Sequence, residues 1–143
     1  MRFMILVKAN ADSEAGVMPS SEGIAAMGRF NEELINAGIL LAAEGLAASS
    51  QGAKVKFSKG GKSTVVDGPF AEAKELIAGF WIIQVKSLDE AVAWARKAPM
   101  PDGEELEVRR AHDPSDFAED SVSEEHLRKE REWREANQKP LTN

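Results

Sequence analysis

The 143-residue chain contains no cysteine. That excludes a disulfide scaffold, a thiol nucleophile and every thiolate metal site, and it fits a reducing compartment such as the cytoplasm. Long apolar runs are missing as well. Met1-Arg2-Phe3-Met4-Ile5-Leu6-Val7 is apolar for only a few residues before Lys8. A secretory signal needs a longer stretch with a small-residue cleavage site, and a membrane span needs more again. No phosphate loop, G-x-S-x-G elbow or dinucleotide fingerprint occurs, and no clear internal repeat. Histidine is limited to His112 and His126. Asp113 and Asp116 lie near His112, but that spacing matches no established metal motif, so a capped loop before Pro114 is expected there. Neither a metal nor a cofactor is expected.

What is present is ordinary for a globular domain, with 43% hydrophobic and 29% charged residues. The length suits one domain able to bury a core without staples. The net charge is −6, from 18 basic and 24 acidic residues. Such a chain attracts neither phosphate backbones nor anionic lipid, so nucleic acid and membranes are not expected partners. Lys54, Lys56, Lys59 and Lys62 do cluster. In a hairpin, lysines of this kind make a solvated edge that discourages strand addition.

Arg2 to Lys8 alternates with apolar residues on both faces, Phe3, Ile5 and Val7 on one and Met4 and Leu6 on the other, which predicts a strand covered on both sides. Asn10 to Gly16 reads as a polar loop. Pro19-Ser20-Ser21-Glu22 then opens a helix with Ile24, Met27, Phe30 and Leu34 at helical spacing, closed at Gly38. Ile39 to Leu46 predicts a second strand. Lys54 to Phe57 and Ser63 to Val66 predict a hairpin about Gly60-Gly61. A short helix is expected over Ala71 to Ile77 and an apolar strand over Phe80 to Lys86. Ser87 and Glu90 form a capping box for a helix burying Leu88, Ala91, Val92 and Ala95. Glu105 to Ala111 is the last strand, with Leu106 and Val108 facing in.

This order is β-α-β, a hairpin excursion, then β-α-β. Two helices on one face of an antiparallel sheet make the ferredoxin-like α+β plan. The other face then needs cover, which two sheets stacked in a homodimer would supply. The boundary is expected near residue 113, with 114–143 a charged helical extension. Glu124/Arg128, Glu125/Lys129 and Glu130/Arg134 are spaced four apart there, and Leu127 and Trp133 make no continuous stripe. A weakly docked helix is expected.

Asp67-Gly68-Pro69-Phe70-Ala71-Glu72-Ala73-Lys74-Glu75 resembles the signature of the YCII-related, DGPF-type family. Further matches lie in Ala78 to Ile83, Ser87 to Ala91, Glu107 to Arg110 and Glu44 to Ala47, so the resemblance covers roughly residues 1 to 113. It implies a ferredoxin-like fold, a dimer whose sheets form a barrel, and a pocket between sheet and helices. It also implies kinship with isomerases and dehydrohalogenase-like enzymes, some YCII-like proteins using a His–Asp pair. This sequence departs from that pattern, since neither histidine lies in the first strand or helix.

The residues themselves leave alternatives open. Asp67 either forms the turn, accepting backbone N–H bonds, or projects into a dimer pocket as a general base or polar anchor near Lys74 or Arg109. Phe70 reads as a core plug rather than a stacking platform. Lys74 and Glu75 read as solvated charges, with a pocket role resting on the resemblance. Glu44 interrupts an apolar strand and calls for a partner, Arg109 or Lys74. Arg109 shares a face with Glu105 and Glu107, where cross-strand charge pairing is expected. Trp81 and Trp94 read as core or dimer-interface aromatics. Three functions follow: a small-molecule-binding dimer with its pocket at Asp67, a cofactor-free isomerase, lyase or dehydrohalogenase using Asp67 for proton transfer, or an accessory protein of a transcription factor.

Overall fold

Strand β1 (Arg2–Lys8) turns Phe3 and Ile5 to one side, where both are buried, and Met4 and Leu6 to the other, where both are half-buried. The structure, a computed structural model, describes residues 1–117 and 123–142. β1 pairs antiparallel with β5 (Ile77–Gln84) on one flank and β6 (Leu106–Arg110) on the other, and β5 pairs antiparallel with β2 (Leu40–Gly45). The sheet order is therefore β2-β5-β1-β6. Helix α2 (Ser21–Asn36) joins β1 to β2, and α3 (Leu88–Ala95) joins β5 to β6. This is the ferredoxin-like plan, with both helices on the Phe3–Ile5 face. No helix among the described residues is long and apolar enough to cross a membrane.

Local chemistry sets the ends of these elements. Ser20 Oγ accepts the Gly23 N–H at 3.1 Å to open α2, and Ile39 N–H returns to the Leu34 carbonyl to close it. Ser87 Oγ accepts the Glu90 N–H, but the Glu90 carboxylate accepts the Lys86 N–H at 2.9 Å rather than that of Ser87, so the expected capping box is half-formed. Phe30 and Leu34 of α2 and Ala91 and Ala95 of α3 pack against Phe3, Ile5, Trp81 and Ile83. Trp81 meets Phe30 edge-on at 5.5 Å and donates its indole N–H to Asn31 at 2.8 Å. A buried indole needs such an acceptor.

Several expectations are corrected. Asn10 to Gly16 is not simply a loop: α1 (Ala11–Glu14) forms there because Asn10 and Ser13 cap each other reciprocally. The helix expected over Ala71 to Ile77 reduces to one 3₁₀ turn, Ala73–Glu75, and β5 begins at Ile77. The Ala9 N–H takes the Leu76 carbonyl at 2.9 Å, drawing that end into extended backbone, and too few residues remain to nucleate a helix. Leu88 and Val92 are 51% and 40% exposed rather than buried. The small seam of Ala91 and Ala95 contacts the core, which turns the larger pair into a cleft beside β6. Trp94 is only half-buried, with the Lys97 ammonium 3.9 Å over its ring.

Strands β3 (Ala53–Ser58) and β4 (Lys62–Asp67) form a separate two-stranded sheet in which every residue is exposed. Gly60 and Gly61 make the expected turn, with φ of +79° and +71° that a β-carbon would oppose. Helix α4 (Glu124–Asn137) buries no residue. Glu125–Lys129 and Glu130–Arg134 pair as expected, while Arg128 bonds forward to Glu132 rather than back to Glu124. Past α4 the chain is pinned to the domain. Gln138 accepts from Arg2 at 2.9 Å, and the Leu141 N–H reaches the Leu40 carbonyl at 2.8 Å on the edge of β2. The junction at residues 118–122, including Asp120 and Ser121, lies outside the described residues.

Candidate functional site

The Asp67-Gly68-Pro69-Phe70 segment is a latch. Its Gly68 N–H donates to the Gly52 carbonyl at 2.9 Å, closing the base of the hairpin. The Phe70 N–H donates to Ser49 Oγ at 2.9 Å, and that hydroxyl donates onward to the Glu14 carboxylate. Glu14 also accepts the Ser49 N–H at 3.1 Å. The Gly68-Pro69 peptide is cis, and the Gly68 Cα lies so close to the Ser49 turn that an added β-carbon would stand 1.7 Å from the Ser49 carbonyl oxygen. Glycine is required there by space. Ser49 and Glu14 escaped the sequence reading because their partnership spans 35 positions and neither belongs to a motif.

Asp67 sits outside this latch. It is exposed at the end of β4, opposite Ala53, and its carboxylate makes no hydrogen bond or ion pair among the described residues. The expected turn-capping role is therefore corrected: the amides of the turn go to Gly52 and Ser49 instead. Phe70 is half-buried, with the Lys54 ammonium 4.3 Å from its ring centroid. Lys74 and Glu75 lie in the 3₁₀ turn, Glu75 exposed. Glu44 and Arg109 do not meet. They occupy opposite edge strands, with β5 and β1 between them. Three strand spacings amount to about 14 Å. Arg109 instead lies 3.7 Å from Glu107 two positions back on its own strand, so the cross-strand charge pairing expected of it is corrected to a contact within β6.

The register brings other residues together on the sheet face that α2 and α3 leave uncovered. Glu44, Phe80, Leu6 and Glu107 form one row across the four strands, and Ala42, Ile82, Met4 and Arg109 form the next. The centre of both rows is apolar and half-buried. One edge ends in Glu44, exposed and without a side-chain partner among the described residues. On the other edge strand, β6, Glu107 is 2.8 Å from Lys8 at the end of β1, and Arg109 lies two positions along from Glu107. The Glu107 carboxyl is held below its ordinary value, chiefly by the hydrogen bond from Lys8 and then by the Lys8 charge. An apolar floor flanked by a free carboxylate and a mixed ion cluster can take an apolar molecule with polar ends.

Two further features lie apart from this face. An open cleft of about 670 Å³ runs between α3 and β6, walled by Leu88, Val92, Leu106 and Val108 with Arg96 and Asp102 on its rim. Beyond β6, Asp113 and Asp116 reciprocally cap a 3₁₀ turn at Pro114–Asp116, so the loop before Pro114 is capped as expected. Asp116 accepts from Arg110 at 2.8 Å and lies 3.3 Å from His112 Nδ1. The His112 carbonyl accepts from Arg2 and Arg134, which makes this a knot joining β1, β6 and α4.

The Arg110 guanidinium, and after it the Asp113 N–H, hold the Asp116 carboxyl well below its ordinary 3.8, at about 2. Its folded value being depressed, the stabilisation is complete above the ordinary carboxylate range and is lost as pH falls from about 3.8 towards about 2. Carbon-detected NMR should place the Asp116 midpoint near 2 in the parent and move it back towards 3.8 in Arg110→Ala. A midpoint that does not move would show that Arg110 is not the cause.

Residues 1–113 match the family described as YCII-related domain. A 36-residue stretch is 56% identical to "Uncharacterized protein R00369" of Rhizobium meliloti (strain 1021), covering 25% of this chain and 29% of that protein. The aligned stretch thus spans under a third of that relative. Among solved structures, the 5-chloro-2-hydroxyhydroquinone dehydrochlorinase of Burkholderia phenoliruptrix AC1100, in complex with 2,5-dihydroxybenzoquinone, aligns over 82% of this chain and 100% of its own. That alignment has 18% identity and a TM-score of 0.39.

Proposed function

We propose, since the chain belongs to the YCII-related family, that it is a cytoplasmic, small-molecule-binding homodimer whose ligand lies between the uncovered sheet face and a second copy. The observation that carries this reading is the cross-strand pair of rows. Met4, Leu6, Phe80 and Ile82 make an apolar floor that neither α2 nor α3 covers, and charged groups stand only at its edges. Stacking such faces removes apolar area from water at roughly 25 cal/mol per Å², and two-fold symmetry makes one patch serve both copies. Glu44, left unpaired at the edge, offers an acceptor to a ligand donor. Arg109 at the opposite edge offers a cation to an anionic or carbonyl group. A compact organic molecule with an apolar body and polar ends fits this arrangement.

Proton transfer at Asp67 draws no support from the geometry. The carboxylate is exposed, and no second ionisable side chain is bonded to it among the described residues. The motif around it is assigned a structural role, holding the hairpin base against Ser49 and Glu14. Sedimentation equilibrium tests the dimer: a two-copy mass is expected at micromolar concentration, and a monomer there would overturn the reading.

A further inference from the structure

We propose that the uncovered sheet face takes an organic carboxylate, whose anionic group is held between Arg2 and Arg109. The inference rests on the small-molecule site proposed above and names the class of molecule that fits it. Met4 lies opposite Arg109, and the Ala111 N–H donates to the Arg2 carbonyl at 2.9 Å. Strand alternation puts Arg2 on the same side of β1 as Met4, diagonal to Arg109 across the β1–β6 pair. Such diagonal neighbours stand about 7–8 Å apart, within reach of long side chains. The two arginines therefore share one corner of the apolar floor, beside the row of Ile82 and Met4.

The carboxylates near this corner are committed elsewhere. Glu107 is 2.8 Å from Lys8 against 3.7 Å from Arg109, Asp116 is paired with Arg110, and Glu130 with Arg134. Asp113 accepts from the N–H and the hydroxyl of Ser115 in its own turn. Arg2 is half-buried and makes no ion pair among the described residues. It donates to two neutral acceptors, Gln138 Oε1 at 2.9 Å and the His112 carbonyl at 3.2 Å. Burial, and then the charge of Arg134, hold its guanidinium below its ordinary value. That is the condition of a cation short of counter-charge, which a bound anion relieves. The planar fork of a guanidinium matches a carboxylate in shape as well as in sign. Gln138 lies beyond residues 1–113, the part matched to the family. It acts as a positioning residue, fixing one arm of the Arg2 fork.

Two probes of one shape test it, 4-propylbenzoate and the neutral 4-propylbenzamide. Calorimetry gives each Kd, and methyl shifts of Met4 and Ile82 locate the bound molecule. The intact parent should bind the benzoate tighter by on the order of tenfold or more. Arg2→Met and Arg109→Met should each remove most of that preference and leave the benzamide Kd unchanged. Gln138→Leu keeps both cations and should lower the preference by about threefold, through lost preorganisation. A merely structural role for Gln138 would not move that ratio. Arg109 is exposed, so its variant decides the matter if Arg2→Met fails to fold. Equal binding of both probes on the Met4–Ile82 face, or a preference that survives in Arg109→Met, would overturn the carboxylate assignment and leave the site standing. Neither probe shifting Met4 or Ile82 would overturn the site, and the assignment with it.

Discussion

Gly68→Ala is expected to destabilise the protein by about 3 kcal/mol or more, measured as a lowered urea midpoint. The new methyl would lie 1.7 Å from the Ser49 carbonyl oxygen and 2.6 Å from its carbon. Both obstacles are backbone, so no side-chain rotation relieves the overlap. The Ser49 turn must move, and with it go the Phe70 N–H bond and the Glu14 clasp. Gly45→Ala is the matched control, because nothing lies within 4 Å of its added carbon, and a loss of about 1 kcal/mol or less is expected there. Equal losses at the two sites would mean that the segment around Gly68 is not packed as a latch.

Ile82→Glu should dissociate the dimer while leaving the fold intact. Ile82 sits on the uncovered face between Ala42 and Met4, not among the buried side chains. A carboxylate there keeps contact with water in the monomer, because Ile82 is only half-buried. In the stacked pair it would be desolvated, a penalty of several kcal/mol. The dimer Kd should rise by on the order of a hundredfold or more. Asp67→Asn should change neither the dimer Kd nor the urea midpoint, given its exposed and unbonded carboxylate. An Ile82→Glu protein that sediments like the parent would move the interface away from this sheet face.

The parts of the fold legible in the sequence are those fixed by local chemistry. Ser20 and the Ser87–Glu90 pair act within one helical turn, and Gly60-Gly61 acts within one hairpin. The apolar residues on both sides of β1 and β5 also told in advance that two helices could not cover the sheet. What could not be read depends on register and on distant partners. Glu44 and Arg109 look like candidates for pairing until strand order sends them to opposite edges. The Ser49–Glu14 clasp joins residues with no periodic or motif relation. Leu88 and Val92 fit a buried helical stripe, yet α3 packs through Ala91 and Ala95. Asp67 drew attention through its motif, but the space-limited member of that motif is Gly68.

The central claim is that the ligand lies on the Met4–Leu6–Phe80–Ile82 face, and methyl NMR tests it most directly. Met, Ile, Leu and Val methyls would be labelled in the intact protein and titrated with a panel of small aromatic acids, amines and phenols. Compounds that bind should shift the methyls of Met4, Leu6 and Ile82 together, and Leu6→Glu should abolish those shifts. Shifts confined to Leu88, Val92 and Met100 would place the ligand in the cleft beside α3. Shifts confined to Val65 and Val66 would return it to Asp67. Either result would contradict the assignment.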